Sequence, residues 1–132
     1  MATIEEGLKA FLEANVAAAG NGYPVSVPVD ASFPAWSYTV ISDKEDLLHS
    51  GGRSGFAKAR IQCDFMDRED ADESDYEKIK TIATTARNVL DGYFGTMGSV
   101  TVFKAEVELN DEWADVHRLP VQRFDVFLHY KR

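Results

Sequence analysis

The chain has a single cysteine, Cys63, in 132 residues, so an internal disulfide is impossible and no CxxC metal or redox motif exists. It has no apolar run near eighteen residues, which excludes a hydrophobic spanning helix. The first nine residues carry two glutamates in place of a basic stretch followed by an apolar one; no signal peptide is expected, and the protein is expected to work in a cytoplasm. Basic residues are in deficit, 14 against 22 acidic, for a net charge of −8. Affinity for nucleic acid or anionic lipid rests on lysine and arginine displacing counterions, so neither is an expected partner. Prolines number only four, and three of them fall within residues 23–34.

What is present fits one globular domain spanning 1–132. Apolar residues make up 45% and charged residues 27%, the range of chains that bury a core. By area scaling, about two-thirds of the unfolded surface is buried at this length, so neither disulfides nor a structural metal is needed.

Periodicity then divides the chain. Ile4, Leu8, Phe11, Leu12 and Val16 share one face of a helix, and Thr3 with Glu6 forms a capping box. The prolines in 23–34 remove ladder donors and predict an extended arm. Residues 36–42 (WSYTVIS) read as a strand. Residues 43–55, polar with three glycines, predict a long mobile loop. Along 56–66, Ala57, Ala59, Ile61, Cys63 and Phe65 alternate with Lys58, Arg60, Gln62 and Asp64, a strand with one wet face. A second helix follows, with Ser74 and Glu77 as its capping box and Ile79, Ile82, Ala83, Ala86 and Leu90 as its buried stripe. Two more strands, 100–109 and 121–130, are expected to bury Phe103, Ala105, Val107 and Leu109, and Phe124, Val126, Leu128 and Tyr130. The order α-β-β-α-β-β predicts an α+β domain: a mostly antiparallel four-stranded sheet with two helices packed on one face.

The search for chemistry yields no catalytic, metal or cofactor residues. Residues 64–77 carry eight acids against Arg68, a local charge of −7. As an EF-hand started at Asp67 they fail, with Asp72 where glycine is required and Lys78 where a bidentate glutamate is required. A solvated charge run leading into a helix N-terminus accounts for them. His49, His117 and His129 stand in no HxH or HExxH spacing. The cluster Ser50-Gly51-Gly52-Arg53-Ser54-Gly55 matches neither a nucleophile elbow nor a Walker loop. What remains are candidate contact residues. His49 and Arg53 fall in the 43–55 loop, and Lys58 and Arg60 share the wet strand face. Trp113, flanked by acids, must fold back on the core or dock elsewhere.

The order of short motifs carries a resemblance. A short N-terminal helix precedes Tyr23-Pro24, Pro28 and the run from Phe33-Pro34-Ala35-Trp36 through Ser42. A polar loop with His49 and Gly51 follows, then Gly55-Phe56, the strand Ala59-Arg60-Ile61-Gln62, and a helix holding Ala83, Ala86, Arg87 and Leu90-Asp91-Gly92. Phe124-Asp125-Val126 closes the pattern. From about Thr3 to Tyr130 this layout resembles the tail-completion proteins of long-tailed bacteriophages, the small tail-terminator and head-to-tail joining group. Its acidic segment 64–77 is longer than the strand-to-helix turn expected there.

The resemblance implies a non-enzymatic virion protein that assembles in the host cytoplasm. It implies a homo-oligomeric ring, commonly a hexamer, at the head-proximal end of the tail. Its partners would be further copies of itself, the tail tube protein and a head connector or stopper, with genomic DNA passing through the lumen without specific binding. His49, Arg53, Lys58, Arg60 and Trp113 are the expected interface. Two other classes compete. One is a small-ligand-binding or catalytic α+β domain with the 43–55 loop as a lid over His49 and Arg53. The other is an adaptor whose acidic segment mimics nucleic acid toward a basic partner.

Overall fold

A computed structural model describes residues 3–16, 22–25, 35–47, 53–66, 73–113 and 121–131. Its elements are α1 (Ile4–Asn15), β1 (Gly22–Pro24), β2 (Ala35–Leu47), β3 (Arg53–Met66), α2 (Glu73–Leu90), β4 (Gly95–Met97), β5 (Val100–Trp113) and β6 (Val121–Lys131). The strands form one sheet in the order β1-β2-β3-β6-β5-β4. All neighbours are antiparallel except β1 and β2, which run parallel.

This corrects the expected antiparallel four-stranded sheet. The sheet has six strands, is mixed, and curls into a half-barrel. The two strands absent from the sequence reading have three residues each, too few for an alternation to register. β1 lies at the very start of the proline-bearing arm and sits on the sheet edge, where Pro24 can close it without breaking an interior ladder. The rest of that arm, 26–34, lies outside the described residues.

The long loop is corrected as well. β2 continues to Leu47 and β3 begins at Arg53, with Leu47 opposite Arg53. Residues 43–47 and 53–55 are thus the two legs of a β-ribbon. The Tyr130 hydroxyl anchors it by donating to Asp43 Oδ1 at 2.6 Å.

The helix stripes pack as their spacing predicts. Ile4, Leu8, Leu12 and Val16 join Ile79, Ile82, Ala83, Ala86 and Leu90 in one core with the inward residues of β3 and β6. Phe11 is half-buried against Tyr93, ring centroids 4.5 Å apart. Thr3 caps α1 reciprocally with Glu6. α2 begins at Glu73, one residue before the Ser74 expected to cap it.

Close approach fixes two glycines. A Cβ on Gly7 would collide with the Met97 carbonyl, so α1 can lie against β4 only with glycine there. A Cβ on Gly22 would stand 2.5 Å from the Trp36 ring, which is fully buried and stacked on Phe65 at 5.7 Å. At the C-terminus of α2 the chain turns through Gly92 at φ +80° and covers the edge of β5. The Gly92 N–H donates to the Ala105 carbonyl, and Asp91 Oδ1 accepts from the Val107 N–H.

Candidate interface on the outer face of the sheet

Both helices cover one face of the sheet; the opposite, outer face presents side chains in rows set by the register. The strand ladder places Lys44 opposite Lys58, Lys58 opposite His129, and His129 opposite Lys104. One step along, Ser42, Arg60, Phe127 and Glu106 form the next row. Beyond it lie Thr39, Gln62, Asp125 and Glu108, then Ser37, Asp64 and Arg123. On the other side of the lysine row stand Phe56, Lys131 and Thr101.

Two of these rows are cross-linked by opposite charges. Arg60 donates through Nη2 at 2.6 Å and Nε at 3.2 Å to Asp125 Oδ2. The guanidinium lies over the carboxylate, which is only 4% exposed although it points away from the core. That hydrogen bond and the adjacent charge raise the Arg60 pKa above its ordinary value. Arg123 makes a two-point contact with Asp64, at 2.7 and 3.3 Å.

The lysine row is different in kind. Three lysines and a histidine stand side by side across four strands, and like charges directly opposed destabilise a sheet. Lys104 binds Glu106 at 2.5 Å. Glu106 is held below the usual carboxylate range, first by the hydrogen bond and charge of Lys104 and then by the charges of His129 and Lys58. Lys44 and Lys58 form no ion pair with any described residue. The Lys58 ammonium instead lies 5.2 Å from the centre of the Phe127 ring, with the Arg60 guanidinium at 5.6 Å from the same ring.

Next to this row Phe56 and Phe103 are each 48% exposed, with ring centroids 5.3 Å apart. Phe103 was expected in the core. A β-bulge between Val102 and Lys104 turns it out and gives its inward place to Val102, which is buried. A trace of this stands in the sequence: Val102 and Ala105 are both small and apolar three residues apart, a spacing that an unbroken alternation cannot put on one face.

The expected interface residues are not brought together. Lys58 and Arg60 are neighbours on the outer face. Arg53 opens β3 opposite Leu47, and Trp113 closes β5 opposite Gln122, itself opposite Phe65. Twelve residue steps of β3 separate Arg53 from Phe65, about 40 Å measured along an extended strand. Trp113 lies in a strand, not in the loop predicted for it; His49 lies outside the described residues. The sequence reading missed Lys44, Phe56, Phe103, Lys104, Phe127 and His129 as members of one face, because register alone aligns them.

Among the described residues no three His, Cys, Asp or Glu side chains converge as metal ligands. No described helix is long and apolar enough to cross a membrane. Comparison with protein-family models finds none that matches the chain, and comparison with curated proteins finds no match.

Proposed function

We propose that this protein is a structural subunit of a long-tailed phage particle. In this reading, copies of it form a ring at the head-proximal end of the tail. The ring ends polymerisation of the tail tube, joins tail to head, or does both. The observation that carries the reading is the outer face: an exposed phenylalanine pair beside a lysine row in which Lys44 and Lys58 have no ion pair among the described residues, on a sheet stiffened from behind by two helices. Phenylalanine is among the residues enriched at protein interfaces, and charges beside it set the choice and approach of the partner. The order of motifs from Thr3 to Tyr130 supplies the phage context, and the acidic balance of the chain suits a ring that lets DNA slide without gripping its phosphates.

Of the 43–55 segment read as a lid, positions 43–47 and 53–55 belong to strands β2 and β3, and 48–52, with His49, lie outside the described residues.

The test is assembly. Replacing Lys58 with glutamate and Phe103 with serine in the phage genome is expected to leave the purified monomer folded by circular dichroism. Electron microscopy of the lysate should then show tails of irregular length, or heads and tails unjoined. Normal tails and an undiminished titre from that double variant would contradict the reading.

A further inference from the structure

Six large apolar side chains stand exposed among the described residues, and five of them fall into two patches. Phe56 and Phe103 lie on the outer face with Lys58, Lys104 and Lys131 around them. Val25, Val40 and Ile41 gather at the corner between β1 and β2. There the Val25 N–H donates to the Tyr38 carbonyl, and Val40 points to the same side of β2 as Tyr38. That corner is acidic. Burial raises the Tyr38 pKa, Lys9 opposes the rise, and Glu5, Glu6 and Glu13 reinforce it, so three carboxylates of α1 stand near this ring against one ammonium. Lys9 is held by Glu13 at 3.0 Å, and Glu5 forms no ion pair with any described residue. α1 packs on the covered face of the sheet and the lysines stand on the open one, so the sheet keeps these acids from the lysine row of their own chain.

We propose that the lysine row with its two phenylalanines docks the α1–β2 corner of a second copy of this protein. Glu5 and Glu6 meet Lys58 and Lys104, and Val25, Val40 and Ile41 meet the two rings. Three facts point to that occupant. The row holds more positive charge than Glu106, the acid shared among its cations, can offset, so it is incomplete electrostatically in the isolated chain. The rings call for a partner that brings apolar surface together with acids, and the corner exposes three aliphatic side chains beside its carboxylates. A polyanion such as nucleic acid fits less well: the basic strip is one row deep and about 14 Å long across four strands, and Glu106, Glu108 and Asp125 occupy the rows next to it. The two patches are unlike and lie on opposite faces of the sheet, so each copy can take one neighbour on either side, the arrangement that closes into a ring. This rests on the self-assembly reading above and adds the residues that make the contact.

The experiment uses full-length chains and measures mass by sedimentation velocity and light scattering. The row variant combines Lys58→Glu with Lys104→Glu; the corner variant combines Glu5→Lys with Ile41→Lys. Each alone is expected to weaken self-association by about tenfold or more. A one-to-one mixture is expected to restore it, since in an alternating assembly every row again meets a corner of opposite charge. Raising salt from about 50 to about 500 mM should weaken the wild-type assembly in the same direction. Should the reversals fail to fold, Lys58→Gln with Lys104→Gln in one chain and Glu5→Gln in another carry the same prediction with a smaller loss. Association unaffected by all of these changes overturns the docking. Loss in the row variant with none in the corner variant overturns the corner as occupant. A wild type that stays monomeric throughout also overturns the docking, although tails capped normally by that protein would leave the ring reading standing. A rescued assembly that stops at two copies supports the docking and removes the ring. If a fluorescent single-stranded oligonucleotide binds the wild type and not the row variant, while self-association is equal in both, the row is a nucleic-acid site and the proposal fails.

Discussion

Cys63 shows how one side chain's surroundings set its chemistry. It lies wholly in the core, where burial pushes the thiol pKa up, and the charges of Asp64 and Asp125 add to the effect. The thiolate is the reactive form, so labelling by a maleimide at pH 8 is expected to proceed only as fast as the protein opens and to become immediate in denaturant. Rapid labelling of the native protein would place the sulfur at the surface instead. Glu106 gives the opposite case. Its carboxylate titrates below the 4.5 of a free glutamate because Lys104 holds its charged form. The stabilisation this provides is therefore present above that value and is lost as pH falls through the folded midpoint. Carboxyl-resolved NMR should find the midpoint below 4.5, and Lys104→Met should bring it back up, since the largest cause disappears with the ammonium. Both residues were placed correctly by alternation along their strands. Neither environment was legible there, because it comes from strands distant in sequence.

Elements were readable where the buried pattern was long. The stripe of α1, that of α2 and the alternations of β3 and β6 each point several apolar residues the same way, and the core takes them all. The pattern failed where hydrogen bonding continued without it. Asp43, Lys44 and Glu45 have no apolar alternation, yet β2 runs through them because β3 offers a partner for every rung. The bulges at Ile41 and Phe103 each shift the register, and residues beyond them swap faces relative to an unbroken count. Packing between elements makes a sharp prediction at Gly7. Alanine there gains up to about 1 kcal/mol of helix propensity. It also drives a methyl into the Met97 carbonyl, a backbone group that cannot swing aside, and overpacking of that kind costs about 1–3 kcal/mol. The steric term dominates, so Gly7→Ala should lower the urea midpoint. A raised midpoint would mean that α1 does not approach β4 this closely.

At the level of the molecule, the sheet divides its duties between two faces. One is closed by both helices over Trp36, Phe65 and Phe124; the other stays open with its rings and lysines. That division predicts separable effects. Phe103→Ser should change stability by less than about 0.5 kcal/mol, as surface substitutions do, while impairing assembly. Phe124→Ala, on the closed face, should cost about 3–5 kcal/mol and impair assembly only through loss of fold. Chemical denaturation and particle assays on the two variants check this together, and a large stability loss in Phe103→Ser would show that its ring is part of the core.

Residue order by itself determined which side chains turn inward on α1, α2, β3 and β6, where no bulge interrupts the count, since periods of 3.6 and 2 are local properties of the backbone. It also determined the small polar-charged inventory from which any surface could be built. Tertiary structure alone decided the strand order, the parallel pairing of β1, the length of the β2–β3 ribbon and the places where the register shifts. It thereby decided that three lysines and a histidine, one from each of four strands, stand in one row. The reason is physical: ladder bonds join backbone groups that are alike at every residue, so the choice of partner and register is made by the packing of the whole core and leaves no mark in a single segment.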